Sequence, residues 1–299
     1  MGKVLYGRRG DPSNVRKLMT RAQMEPDPPF YVIFTDLDGT LLDHITYGWD
    51  EAKAALDLCK SLHIPIVMVS SKTRAEMDVL RKKLEFPFPF VSENGGGIFF
   101  PKEAINGIPP GTIFAKNMWR LSFGLAYEFL VKCLREIRDE LGWHIRGLSE
   151  MTPEEISSRT GLDLESSRLA AKREYDEPFI VLEQEKIDID TLRCAAQRRG
   201  LTITTGGRFY HLHGQNDKGE AVERVIMWYK EHHSQIITIA LGDSPNDFSM
   251  LKRVNHPVLI RSSNYFSGIE ESIPGLTVTQ EMGPKGWNSA VLRIIREKM

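Results

Sequence analysis

Residues 31–43 read YVIFTDLDGTLLD, and the change of character at Asp36 decides the fold. Tyr31-Val32-Ile33-Phe34-Thr35 is an unbroken run of β-branched and aromatic residues, the pattern of a strand covered on both faces. It stops at two acids spaced two apart, Asp36 and Asp38, followed by Gly39 for a tight turn and Thr40 to hydrogen-bond the loop. Moving outward, a helix after Asp50 carries Ala55, Leu58, Cys59 and Leu62 on one face. Ile64 to Val69 then form a second buried strand that ends at Ser70-Ser71. Thr73 and Glu76 have the spacing of a capping box, opening a helix with Met77, Leu80 and Leu84 at helical period. Buried strands joined through helices cannot be hairpins, so the spacing predicts a parallel sheet covered on both sides.

Beyond Gly95-Gly96-Gly97, the residues Pro101, Pro109, Pro110 and Gly111 have the composition of a linker. The segment 112–207 holds its own set: helices near 127–141, 153–158, 163–173 and 189–199, and strands at 178–182 and 201–205. The opening pattern then resumes. Asp217 and Glu220 suggest a second capping box, and Ile236 to Leu241 is another continuous apolar strand ending at Gly242-Asp243. Short strands at 257–260 and 276–279 and a helix at 287–298 finish the chain. The predicted class is α/β: a doubly wound parallel-sheet core of residues 30–111 and 208–299, interrupted by an inserted α/β cap, 112–207. Residues 1–29, closing in three prolines, read as a flexible extension.

Composition narrows the function. At 299 residues with 41% apolar and 26% charged side chains, the chain can bury a sizeable core, and disorder, collagen and coiled coil drop out. The 39 Lys and Arg nearly balance the 40 Asp and Glu, a net charge of −1, so no general field draws it onto nucleic acid or an anionic membrane. Neither is expected as a partner. Cys59, Cys133 and Cys194 lack the paired spacings of zinc or redox sites and suggest a reducing compartment. With no signal-peptide-like segment and no run near the roughly 18 to 20 apolar residues of a membrane span, the cytoplasm is the expected location.

In open parallel sheets, ligands bind beyond the carboxyl ends of the strands. The residues there are Asp36 and Asp38, Ser70 to Lys72, and Asp243 to Asp247. Carboxylates gathered on one edge repel one another unless a cation neutralises them, and a hard divalent ion such as Mg²⁺, with its preference for oxygen, is the natural partner. The Asp36 and Asp38 spacing suits two roles: one carboxylate to attack phosphorus, the other to protonate the leaving oxygen and later activate water. Mg²⁺, the Ser70 hydroxyl and the Lys218 ammonium, at the first turn of a helix, would shield the phosphate.

DLDGTLLD at 36–43, Ser70, Lys218 within NDKG and GDSPND at 242–247 resemble the haloacid dehalogenase (HAD) superfamily of phosphatases, in the Cof-type (IIB) branch with an α/β cap inserted between the second and third motifs. More narrowly, SSKTRAE at 70–76, SENGGGI at 92–98, REYDEPF at 173–179 and GGRFYHLHGQNDKGEAV at 206–222 resemble the mannosyl-3-phosphoglycerate phosphatases. That resemblance implies Mg²⁺-dependent hydrolysis of mannosyl-3-phosphoglycerate to mannosylglycerate through an aspartyl-phosphate, the last step of making a compatible solute. It implies Asp36 as nucleophile and Asp38 as acid and base. The metal ligands would be the Asp36 side chain, the Asp38 carbonyl and Asp243, with Asp247 acting through water. Asn246 and Lys218 would hold the phosphoryl group and Ser70 would donate its hydroxyl. Where the wider branch has a TGR-like sequence, this chain has Ser70-Ser71-Lys72, as the mannosylglycerate enzymes do.

A substrate bearing both phosphate and carboxylate needs cations beyond the metal, and Lys72, Arg173 and Arg208 are available. Ser71, the Glu93-Asn94-Gly95 loop, Glu177 and His211 join them as expected substrate contacts, against the plainer readings of a simple Asn-Gly turn and a surface ion network. Competing functions are hydrolysis of glucosyl-3-phosphoglycerate, sucrose phosphate or a hexose phosphate, phosphosugar mutation, and phosphosugar binding without turnover. The sequence leaves oligomeric state open.

Overall fold

The computed structural model describes residues 28–104, 107–182, 188–206, 209–263, 266 and 268–298; the expected N-terminal extension up to residue 27, and Arg208, lie outside them. In chain order the strands are β1 Phe30–Thr35, β2 Ile66–Val69, β3 Phe90–Ser92, β4 Gly97–Pro101, β5 Ile113–Ala115, β6 Met118–Ser122, β7 Ile145–Gly147, β8 Asp176–Val181, β9 Thr202–Gly206, β10 Phe209–His213, β11 Ile236–Gly242, β12 His256–Arg261 and β13 Thr277–Met282. The helices are α1 Lys53–Ser61, α2 Arg74–Lys83, α3 Tyr127–Leu141, α4 Pro153–Thr160, α5 Leu164–Ala170, α6 Ile189–Gln197, α7 Lys218–Lys230, α8 Phe248–Leu251, α9 Ile269–Ser272 and α10 Gly283–Lys298. Among the described residues, none is long and apolar enough to cross a membrane.

One sheet runs β13-β12-β11-β1-β2-β3-β4-β6-β5. It is parallel from β13 to β3 and antiparallel beyond, and β1 lies inside the parallel part with Phe34 opposite Ala240 of β11 on one side and Val67 of β2 on the other. From β1 the chain winds outward through β2 and β3, then returns to β11 on the opposite side. The carboxyl ends of β1 and β11 therefore flank the switch point, where an open sheet leaves a crevice.

Both faces of the sheet are covered, which is why β1 shows no polar alternation. Tyr31 and Ile33 pack with Cys59 of α1, Met77 of α2 and Trp287 and Val291 of α10, while Val32 and Phe34 pack with Ala221, Val222 and Val225 of α7. The Thr73 and Glu76 capping box forms in full at α2. Asp217 accepts the Glu220 N–H at 2.9 Å as an N-cap of α7, in place of the reciprocal box the spacing suggested.

The cap is a four-stranded antiparallel sheet, β7-β8-β10-β9, backed by α3 and α6 around Leu130, Leu134, Phe179, Leu192 and Leu212. Its edges differ from the expected 112 and 207. Strands β5 and β6 extend the large sheet, carrying the core through Ser122, and β10 belongs to the cap. The Pro- and Gly-rich stretch 101–111 falls in sequence between two core strands, β4 and β5, that both pair with β6; a turn within a sheet and a domain linker need the same residue types.

Trp287 ties the C-terminal helix to the strand end that carries the first acid. It is fully buried, its Nε1–H donates to Thr35 Oγ1 at 3.0 Å, and Thr35 Oγ1 donates to the Asp36 carbonyl at 2.7 Å. Replacing Trp287 with Ala is expected to cost about 3–5 kcal/mol through the cavity left behind. Trp287→Phe, which keeps a ring and loses the donor, should cost about 1–2 kcal/mol. Urea midpoints measure both, and equal losses would show that the indole N–H, not the ring volume, carries the effect.

Candidate active site

The β1 and β11 ladder places the first acids. Asp36 N–H donates to the Leu241 carbonyl at 2.9 Å, one step past the paired strands, and Asp243 follows the end of β11 directly. Gly39 turns the chain back at φ 84°, and a Cβ there would stand 2.7 Å from Asp243 Oδ2. Thr40 Oγ1 donates to Asp243 Oδ1 at 3.3 Å. Asp247 is fully buried and organises its own loop: Oδ2 accepts Asp243 N–H, Ser244 N–H and Ser244 Oγ–H at 3.0, 3.1 and 3.1 Å. Asp36, Asp243 and Asp247 each bring a carboxylate oxygen within 4.8 Å of the others.

Lys218 opens α7 and lies buried among these acids. Its Nζ donates to Asp36 Oδ1 at 2.6 Å and to Asp247 Oδ1 at 2.7 Å. Burial alone would push this ammonium down, but Asp247 and Asp36 outweigh it and hold it well above the usual lysine range. Its partner Asp36 is nevertheless raised well above the usual carboxylate range, because burial, Asp247 and Asp243 together exceed what Lys218 returns. Burial and Asp247 likewise push Asp243 up to about 6. One cation facing three carboxylates leaves two negative charges in a nearly dry site, and every donor in the set is oxygen. That is the chemistry a hard divalent cation requires, so the residues fit Mg²⁺. Asp38 Oδ1, buried and without a partner among the described residues, adds a further oxygen on the same turn.

Around this cluster lies a ring of polar groups. Lys72 Nζ pairs with Asp38 Oδ2 at 2.8 Å and lies 5.2 Å from the centre of the Tyr47 ring. Burial opposes its charge, yet Asp38 and Glu76 hold it above the usual lysine range. Ser70 directly follows β2; its Oγ accepts the Lys72 N–H at 3.2 Å, leaving the hydroxyl proton to donate. Asn246 Nδ2–H donates to Asn94 Oδ1 at 3.1 Å. The sequence analysis did not single out Asn216, whose Nδ2–H donates to the Asn94 carbonyl at 3.5 Å while its Oδ1 is buried without a partner among the described residues. The available signal was its place two residues before Lys218 in NDKG.

On the cap side, Arg173 Nη1–H donates to the Ser71 carbonyl at 2.8 Å and lies 3.4 Å from Asp176 Oδ2. Asp176 Oδ2 also bonds His211 Nδ1 at 2.7 Å. Burial would raise the Asp176 carboxyl, but His211 and Arg173 pull it below its usual range. Arg173 and His211 thus join the edge of the core through one buried acid that the sequence analysis missed. Two expected substrate contacts prove otherwise occupied. The Glu177 carboxylate accepts from Ser149 N–H, Ser149 Oγ–H and Tyr127 Oη–H inside the cap. The Glu93 carboxylate accepts from the backbone N–H groups of Glu174 and Tyr175. Both are fully buried and serve the protein's own donors, which corrects their reading as direct ligands. Gly95 is buried, completing the same turn.

A carboxylate held by a buried ammonium, a second acid two residues on and a hydroxyl at the neighbouring strand end are the groups that phosphoryl transfer to an aspartate would need. A family model described as haloacid dehalogenase-like hydrolase matches residues 33–265. A Methanococcoides burtonii protein named glucosyl-3-phosphoglycerate/mannosyl-3-phosphoglycerate phosphatase is 40% identical over 265 residues, 89% of this chain and 97% of the relative. A Pyrococcus horikoshii mannosyl-3-phosphoglycerate phosphatase is 36% identical over 234 residues, 77% of this chain and 90% of the relative. Among solved structures, a Thermoplasma acidophilum protein superposes with a TM-score of 0.65 at 19% identity, over 91% of this chain and 100% of its own. A haloacid dehalogenase-like hydrolase from Bacteroides thetaiotaomicron does so at 0.60 and 16%, over 89% and 99%. At such identities these structures speak for the fold alone, whereas the family match and the closer relatives carry membership: this chain belongs to the haloacid dehalogenase-like hydrolase family.

Proposed function

We propose that the chain is a Mg²⁺-dependent phosphatase that releases phosphate from mannosyl-3-phosphoglycerate. The observation that carries the chemistry is the placement of Asp36, Asp243 and Asp247 within 4.8 Å of one another around the buried Lys218. Lys218 takes Asp36 Oδ1 and leaves the other oxygen to attack phosphorus. The bond from phosphorus to the ester oxygen breaks, and Asp38 gives that oxygen its proton. Asp38 then takes a proton from water as it attacks the aspartyl-phosphate, returning Asp36 and freeing inorganic phosphate. Ser70, Asn246 and Lys218 bind and orient the phosphoryl oxygens. Asp36, Asp243 and the Asp38 carbonyl would hold the metal, with Asp247 supporting it through water, and the metal, when bound, neutralises charge on the phosphoryl group.

Substrate choice falls to the cap edge. Lys72 and Arg173 supply positive charge beside Ser71, suiting an ester whose leaving group carries a carboxylate. The relatives' names support a glycosyl-3-phosphoglycerate. Glucosyl-3-phosphoglycerate is the second reading, since the Methanococcoides burtonii and Persephonella marina relatives carry both sugars in their names.

Phosphate release measured with mannosyl-3-phosphoglycerate, glucosyl-3-phosphoglycerate, sucrose 6-phosphate and mannose 6-phosphate should favour the mannosyl ester and vanish with chelator. Asp36→Asn should lower it at least about a thousandfold. Best turnover of sucrose or mannose phosphate would refute the substrate assignment, and none from any ester the phosphatase itself. Asp38→Asn is expected to lower kcat by about 10²–10⁴, read from initial rates at saturating substrate. Gly39→Ala forces a side chain into a left-handed turn and against Asp243, so the Mg²⁺ concentration for half-maximal rate should rise about tenfold. An unchanged Mg²⁺ titration would remove Asp243 from the metal site.

A further inference from the structure

The turn at residues 93–95 stands between core and cap, and its backbone is held from several directions. Glu93 and Asn94, though neither is glycine, both adopt left-handed conformations at φ 48° and 54°, and Gly95 follows at φ 94°. Such backbone persists for residues with a Cβ only where the surroundings over-determine it, and it gathers at functional sites. Here Glu93 N–H donates to the Lys72 carbonyl at 3.1 Å and Asn94 N–H to the Ser70 carbonyl at 3.0 Å. The Asn94 side chain and carbonyl take the bonds from Asn246 and Asn216. A Cβ on Gly95 would fall 2.1 Å from the Asp217 carbonyl, so the turn lies flat against the loop that leads into Lys218. All three loops that carry Ser70, Lys218 and Asn246 therefore grip one turn.

The Glu93 side chain reaches the cap. Its fully buried carboxyl accepts the Glu174 N–H at 3.1 Å and the Tyr175 N–H at 2.8 Å. Burial pushes it up to about 8, against Arg173 and those two amides. Tyr175 lies on a shelf of glycines, where a Cβ on Gly96, Gly97 or Gly124 would come within 2.4, 2.7 or 2.6 Å of it, and its hydroxyl bonds Ser122 Oγ at 2.7 Å. Thr73 Oγ1 and Arg74 extend the same contact to Leu169 and Glu174.

We propose that Glu93 is a positioning residue that makes docking of the cap and assembly of the phosphate-holding loops one coupled event. The inference rests on the phosphatase reading. Phosphate drawing Ser70, Lys218 and Asn246 together fixes the 93–95 turn, and the turn presents the Glu93 carboxyl to the Glu174 and Tyr175 amides. The coupling is reciprocal, so a docked cap tightens phosphate binding by the same factor.

The test is hydrogen exchange of the 170–176 segment in the full-length protein with Mg²⁺, with and without inorganic phosphate, beside calorimetric titration of phosphate. In the unmutated protein, phosphate should slow exchange at Glu174 and Tyr175. In Glu93→Ala these amides should exchange fast regardless of phosphate, and the phosphate Kd should rise about 5- to 150-fold. Glu93→Gln, which keeps a carbonyl acceptor, should restore both. Should Glu93→Ala fail to fold, Glu93→Asp, one methylene too short to reach both amides, should move both readouts in the same direction. A merely structural role would lower Tm while leaving the Kd and the phosphate-induced slowing unchanged, and that result overturns the proposal. If the unmutated protein binds no phosphate, the phosphatase reading fails and the coupling falls with it, an outcome distinct from normal binding that is indifferent to Glu93.

Discussion

A single buried ammonium sets the terms for the rest of the molecule. Lys218 lies within 2.7 Å of Asp36 and Asp247, residues 182 and 29 positions away in the chain. Where water is scarce, acids repel strongly, and an unpaired charge is costly. The ends of β1 and β11 and the start of α7 must therefore meet in one arrangement or leave charges uncompensated. Lys218 covers part of the negative charge, and the acids that remain form a set that could hold a metal ion. Trp287, Thr40 and the Gly39 turn serve this arrangement by fixing where the acids stand.

The cap meets the core through groups of a different kind. Where the cluster around Lys218 is built from charged side chains, much of the cap contact uses backbone: the Ser71 carbonyl takes Arg173, and the Glu174 and Tyr175 amides meet Glu93. Backbone groups demand position and are indifferent to sequence, so this contact sets distance and angle. Lys72, Arg173 and the His211–Asp176 pair place charged groups along that positioned edge. Such a division suits a fold that hosts many functions, since chemistry lives in sites grafted on a shared architecture. The solved structures at 16–19% identity share the architecture, while the relatives at 36–40% are similar in sequence over most of the chain.

Local pattern made most of the core legible. The β-branched and aromatic run before Asp36, the Thr73 and Glu76 cap and the strand ending at Gly242-Asp243 announce themselves through hydrophobic period and turn chemistry, which depend on near neighbours. The acids at the strand ends followed from the rule that open parallel sheets bind ligands there, and the structure brings Asp36, Asp243 and Asp247 together. The division into core and cap was harder to read, because proline and glycine serve a connection between two strands of one sheet, β4 and β5, as readily as a linker.

What the sequence by itself determined is therefore the set of strands, the acids that follow them and the lysine that opens α7. Only the tertiary structure decided what several charged side chains do. Glu93 and Glu177 read as substrate ligands, yet each is buried and occupied by donors from elsewhere in the protein, Glu93 by amides 81 and 82 residues away. Asp176 gave no signal and lies at the centre of the cap's charged cluster. The reason is physical: a strand or a cap is stabilised by residues a few positions apart, whereas a carboxylate's partner can be any N–H the fold brings within 3 Å, and backbone amides leave no mark in sequence.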